Sequence, residues 1–321
     1  MDELKESCKD QMKKKLLSQS RTRNLAILFL FAASGWVAAV RMSAADAGFR
    51  NNASLVVVPV TITNHEGEAI SGLKGSQFRV LANGVSRPVV SFEPDQRPMS
   101  TVVVVDASAS MGSSMEQTRL ALRNFFAASA GPLDETALLT FSGHPQVVND
   151  FTRDFTPLMS KLVAGRAADY TALDDALWQA LQMMRGAHNP RKAVVVITDF
   201  RENHSRHASE LMNAVRESGV QLYGISIHYR PFSMNRFGIG LLQSLAMASG
   251  GLSFDIRSAK HLPETAQKIA NATRSLYRIG FSPSAADDRG RWHKVQVRIA
   301  DPNFGSLRIN PKNAYEQSEL Q

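Results

Sequence analysis

"TVVVVDASASMGSSM", residues 101–115, holds the reading on which the fold turns. Four valines in a row, Val102 to Val105, show no alternation of apolar and polar positions. An unbroken β-branched run of this length, with a helical period following it, is the mark of a strand covered on both faces, as in a parallel sheet. The run stops at Asp106, and Ser108 and Ser110 follow at alternating positions before a glycine and a helix start. That helix, "SMEQTRLALRNFFAAS", sets Met115, Leu122, Phe125 and Phe126 near a 3.6-residue period. A turn, a nucleophile and half of a metal site can each begin from an aspartate so placed.

Working outward, further apolar runs fall at "TALLTF" (136–141), "QVVNDF" (146–151), "KAVVVITD" (192–199), "VQLYGISI" (220–227) and "GLSFDI" (251–256). Helical periods lie between most of them; "ALDDALWQALQMM" aligns Leu173, Leu177, Leu181 and Met184, and its spacing puts Trp178 in the core. "TALLTF" and "QVVNDF", split by "SGHP", read as a hairpin that supplies an antiparallel edge strand. The expected fold class is α/β, a doubly wound, mostly parallel sheet over residues 98–273. Residues 50–97 and 274–316 read as β segments. In the first of these, "SQFRVLANGVSRPVVSFEP" reads as a hairpin turning at Asn83-Gly84. Each flank is too short to build a core alone, so the two are expected to pair as one small sandwich into which the α/β domain is inserted. Residues 317–321 form a tail.

Residues 1–47 read as an export signal or an N-terminal membrane anchor. Seven Lys/Arg within residues 1–24 precede the apolar "NLAILFLFAASGWVAAV" (24–40), and "SAADAG" then offers small residues around Ala45 and Ala47. The expected location of the body is therefore extracytoplasmic, periplasmic or secreted, with a membrane tie through that segment if it is retained. The single cysteine, Cys8, lies within the basic leader, so the body has neither disulfides nor a zinc–thiolate site. The formal net charge of +8 falls to +5 once residues 1–47 are removed, and no basic stripe with interleaved aromatics appears; nucleic acid is not an expected partner.

In an open parallel sheet, ligands bind beyond the carboxyl ends of the strands where the winding reverses. Asp106, Ser108 and Ser110 stand at one such end, where alternating positions in an extended loop point the same way and let the three oxygens converge. Thr171, in "AADYTALDDAL", starts a helix, and Asp199 ends the run "VVVITDF". Two carboxylates and three hydroxyls make a hard, oxygen-only donor set, which selects Mg²⁺, Mn²⁺ or Ca²⁺ over zinc or copper. Plainer readings stand beside this one. Thr171 with Asp174 makes a capping box, Asp199 could cap the next helix, and the serines could be turn residues. His204 and His207, three apart in "RENHSRH", read as a solvated helix start. As an enzyme, the chain would use Asp106 as a phosphoryl acceptor beside Mg²⁺, but Ser108 stands where such chemistry wants a second carboxylate. No G-x-S-x-G elbow and no phosphate loop with its lysine occurs.

The D-x-S-x-S after an apolar strand, the Thr before "ALDDAL" and the "TD" that ends a later strand resemble a von Willebrand factor type A domain. "LVVVPVTITNHEGEAISGLKGSQFRVLANG", "YRIGFSP", "GRWHKVQVRI" and "NPKNAY" resemble the bacterial VWFA-related proteins first described for acidobacteria, over roughly residues 55–316. The resemblance implies a metal-ion-dependent adhesion site (MIDAS) formed by Asp106, Ser108, Ser110, Thr171 and Asp199. It implies binding of a protein ligand that offers a carboxylate, and no catalysis. A metal-free scaffold role in an envelope complex is the alternative. The sequence departs from the family at Ala109, at Asp169 and Tyr170, and at Phe200, where glycines are usual.

Overall fold

The computed structural model describes residues 55–163, 173–199, 207–228, 236–283, 292–300, 307–312 and 314–316. Residues 1–47, Asp169, Tyr170, Thr171, Phe200 and His204 lie outside the described residues.

Strands β5 (Met99–Asp106), β6 (Glu135–Phe141), β7 (Pro145–Thr152), β8 (Arg191–Thr198), β9 (Gln221–Ile227) and β10 (Ser253–Ile256) form one six-stranded sheet in the order β10-β9-β8-β5-β6-β7. All neighbours are parallel except β6 and β7, the expected hairpin with its antiparallel edge. The valines of β5 divide between two cores, as a strand covered on both faces requires. Val103 and Val105 join Met115, Leu122 and Phe125 of helix α1 (Met115–Ser129) and Leu262 and Ile269 of helix α6 (Leu262–Arg274). Val102 and Val104 join Leu173 and Leu177 of α3 (Leu173–Met183), Leu211 of α4 (Ala208–Ser218) and Leu242 of α5 (Arg236–Ser249). A one-turn helix, α2 (Leu158–Lys161), sends Leu158 into the first core. Gly224 in β9 lets α5 close on the sheet, since a Cβ there would lie 2.5 Å from a methyl of Leu242. Trp178, expected in the core, is only half-buried on the margin of the second cluster.

The flanking segments interleave in two antiparallel sheets. Strand β1 (Val56–Thr63) lies between β11 (Tyr277–Phe281) and β13 (Arg308–Pro311), with β4 (Val89–Pro94) on the far side of β11. The second sheet runs β14-β12-β2-β3, with β2 (Phe78–Ala82), β3 (Val85–Arg87), β12 (Trp292–Ile299) and β14 (Ala314–Glu316). Each sheet thus holds strands from both flanks, and one core containing Val60, Ile62, Val80, Ile279, Phe281 and Val295 lies between them. Asn83 and Gly84, both at positive φ (50° and 83°), make the tight turn of β2 and β3. The structure corrects the expected hairpin beyond that point. Pro88 has no N–H to extend the ladder, and β4 crosses to the other sheet, where it pairs with β11. There the ring of Phe92 stacks between Phe78 (5.2 Å) and Tyr277 (4.8 Å) and ties the two sheets together.

The chain enters the α/β part after Asp95 and leaves it before Leu276, and the two crossings touch: Asp95 N–H donates to Leu276 O at 2.7 Å. Asp95 is 3% exposed and accepts two bonds from the Arg97 side chain, at 2.8 and 2.7 Å. The buried Arg191 stands 3.9 Å away and donates to Arg97 O and Thr273 O. Burial pushes the Asp95 carboxyl up, but the Arg97 hydrogen bond and the charges of Arg191 and Arg97 outweigh it and hold the group below the ordinary aspartate range. A carboxyl with a depressed folded-state pKa contributes stability above its unfolded value, and that contribution is lost as pH falls through the folded value. Asp95→Asn should therefore cost about 3 kcal/mol at pH 7, the usual scale for breaking a buried pair. In urea titrations across pH, the gap between wild type and variant should close below about pH 4; a gap that does not change with pH would show that charge plays no part in joining the two regions.

Candidate metal centre

The order β10-β9-β8-β5-β6-β7 puts the first strand of the α/β part beside both β6 and β8. From β5 the chain winds to one side through β6 and then to the other through β8, so the reversal falls between the carboxyl ends of β5 and β8. Asp106 ends β5, and Asp199 directly follows β8.

The loop after β5 is built by its own polar groups. Asp106 has no exposed surface, and its Oδ1 accepts the Ser108 N–H at 2.9 Å. This turn of the aspartate onto the backbone two residues later is the local preference of that side chain. Ala107 N–H donates to Phe141 O at 2.7 Å, so the loop leaves from a strand end that is still paired. The alternating-loop expectation is corrected here: residues Ala109–Ser114 coil at once into a 3₁₀ turn that runs into α1. The two hydroxyls meet all the same, with Ser108 Oγ 2.9 Å from Ser110 Oγ. Ser110 Oγ then donates to Asp199 Oδ1 at 3.0 Å. Four of the five residues singled out in the sequence are therefore brought together, and the fifth, Thr171, lies outside the described residues. Ala109, where the resembling family has glycine, is exposed.

Sequence reading missed Thr198 as a participant. Its fully buried hydroxyl donates to Asp106 Oδ2 at 2.7 Å. The signal was present in "VVVITD": a polar residue at the carboxyl end of a buried strand, next to the strand that ends in Asp106. Burial drives the Asp106 carboxyl above the ordinary aspartate range, against hydrogen bonds from Ser108, Thr198 and the Asp199 amide that favour the anion. Among the described residues no lysine or arginine is paired with it. Among those residues, too, no three His, Cys, Asp or Glu side chains converge; the donors here are two carboxylates and hydroxyls. His207 of the "RENHSRH" stretch is exposed and bonds Glu210 of α4 at 3.0 Å, as a solvated helix start does.

Because Ser110 is only half-buried, its hydroxyl should matter little to folding. Ser110→Ala should cost about 1 kcal/mol or less in denaturant titrations run with a chelator present, the scale of one hydrogen bond. A loss of about 3 kcal/mol or more would assign this oxygen cluster to the fold instead.

Among solved structures, the chain is similar to a von Willebrand factor type A protein from Catenulispora acidiphila, at 12% identity and TM-score 0.47 over 84% of this chain and 76% of that one. It is similar to the conserved hypothetical protein BatB from Bacteroides thetaiotaomicron, at 18% identity and TM-score 0.42 over 55% and 100%. It is also similar to proximal thread matrix protein 1 from the mussel byssus with a zinc-occupied MIDAS motif, at 16% identity and TM-score 0.47 over 60% and 49%. No curated protein matches the chain. Residues 101–202, from the valine run of β5 past Asp199, match the family model of the von Willebrand factor type A domain. Residues 101–202 of this chain therefore belong to the von Willebrand factor type A domain family, as the motif residues implied.

Proposed function

We propose that this chain is an exported, divalent-cation-dependent binding module that engages an acidic side chain of a protein partner at the Asp106–Asp199 cleft. One observation carries the reading: a continuous set of hard oxygens, Ser108 Oγ, Ser110 Oγ and Asp199 Oδ1, spaced 2.9 and 3.0 Å apart at the switch point of the sheet. As hard oxygens these groups would suit Mg²⁺, Mn²⁺ or Ca²⁺. Their spacing suits O–H···O bonds, so the hydroxyl protons keep the set assembled without a cation.

Ser108, Ser110 and Thr171 would hold the ion through neutral oxygens, with Asp106 and Asp199 supplying the balancing charge. Asp106 already accepts from Ser108 N–H and Thr198 Oγ, which suits it to act from behind the serines. Bound there, a divalent ion supplies a Lewis-acidic position for an incoming carboxylate. Domains of this type commonly mediate protein–protein contacts. We accordingly read the module as a binder and not an enzyme, with its body outside the cytoplasm and the apolar segment 25–40 as signal or anchor.

Isothermal titration of the chain with MgCl₂ tests the reading. Wild type should bind one equivalent, while Asp106→Ala and Thr171→Ala should each weaken binding at least tenfold, about 1.4 kcal/mol. A pull-down from envelope extract should recover a partner that chelator releases. No heat of binding from wild type, or identical recovery with and without chelator, would leave the metal-free scaffold as the better reading.

A further inference from the structure

We propose that Thr198 is a positioning residue of the ion site, which it serves without touching the ion. The inference deepens the reading above and rests on it. Thr198 and Asp199 are adjacent in the chain, yet they grip opposite ends of one series of contacts. Thr198 Oγ donates to Asp106 Oδ2 at 2.7 Å. Asp106 Oδ1 takes the Ser108 N–H at 2.9 Å, and Ser108 Oγ meets Ser110 Oγ at 2.9 Å. Ser110 Oγ returns to Asp199 Oδ1 at 3.0 Å. The series closes into a ring that joins the end of β5 to the end of β8.

Within this ring Thr198 holds the Asp106 oxygen opposite the one that takes the Ser108 amide. The carboxylate of Asp106 can turn about its own axis, and only one of its oxygens holds the backbone amide that sets the Ser108 hydroxyl. A donor fixed on the other oxygen stops that rotation. Thr198 can fix it because it is itself immobile: it is fully buried, it ends a strand hydrogen-bonded on both sides, and the register that pairs Val105 with Ile197 brings it level with Asp106. A β-branched residue, restricted at χ1, suits that place better than serine's looser side chain, while the hydroxyl is the chemically necessary part. Groups that orient metal ligands from behind commonly change affinity 10- to 100-fold when removed.

The test compares wild type, Thr198→Val and Thr198→Ser by titration with MgCl₂, together with the melting temperature of each in excess Mg²⁺ and in chelator. Valine keeps the volume and branching and deletes only the hydroxyl. The valine variant should bind Mg²⁺ 10- to 100-fold more weakly, and serine should restore affinity to within a few-fold of wild type. The rise in melting temperature from chelator to Mg²⁺ should shrink for valine and persist for serine. A purely structural role would lower both temperatures together and leave that rise unchanged, which would overturn the inference. So would equal Mg²⁺ affinity in wild type and the valine variant, or a serine variant as weak as valine. If the valine variant fails to fold, Thr198→Ala takes its place, and failure of both to fold would assign the hydroxyl to the fold and overturn the inference. Absence of Mg²⁺ binding by wild type is a separate outcome, since it removes the ion-site reading itself.

Discussion

A carboxylate buried at the end of the central strand is the constraint around which this molecule is organised. Asp106 has no exposed surface, and burial drives its pKa upward. A group in that position costs several kcal/mol unless donors or a cation compensate it. The fold supplies donors from two directions, the Ser108 amide along the chain and the Thr198 hydroxyl across the sheet. These favour the anion and do not neutralise it. Beside it, through the two serine hydroxyls, stands a second carboxylate at Asp199, and between them lie the oxygens of the proposed ion site.

The two ends of the parallel sheet are treated differently. At the amino end, where the chain passes to and from the sandwich, acids are matched by bases and amides. Asp134 accepts from Met99 N–H, Gly131 N–H and Arg274, and Glu135 accepts from Ser100 Oγ and His188 N–H. Asp95 holds Arg97 and lies near Arg191. Of these, the Asp95 contacts lie where the chain passes between the α/β part and the sandwich. At the carboxyl end, the acids Asp106 and Asp199 are linked through hydroxyls. Eight residues of β5 separate the two ends, about 25 Å at 3.3 Å per residue. The seam and the proposed ion site thus lie at opposite ends of the same strands.

Much of this was legible in the chain itself. The unbroken valine run foretold a strand with two covered faces, and the residues that alternate along it do enter separate cores. The D-x-S-x-S loop announced its oxygens, which converge even though the backbone coils into a 3₁₀ turn where an extended loop was expected. Thr198 escaped notice because a threonine in a strand reads as β-propensity, and only the inter-strand register brings its hydroxyl level with Asp106. The path of β4 was hidden for a similar reason. Local turn chemistry at Asn83-Gly84 is strong, but the choice of sheet after Pro88 is made by the stacking of Phe92 on Phe78 and Tyr277, residues far apart in sequence. Trp178 keeps the helical spacing of a core residue yet sits at the edge of the second core, since periodicity gives the face of a helix and not its depth.

Anomalous diffraction from crystals of this protein grown with Mn²⁺ would test the central claim most directly. The account predicts one strong peak at the carboxyl ends of β5 and β8, within bonding distance of the Ser108 and Ser110 hydroxyls. Fully occupied crystals with no peak there, or with Mn²⁺ bound only elsewhere on the molecule, would contradict it.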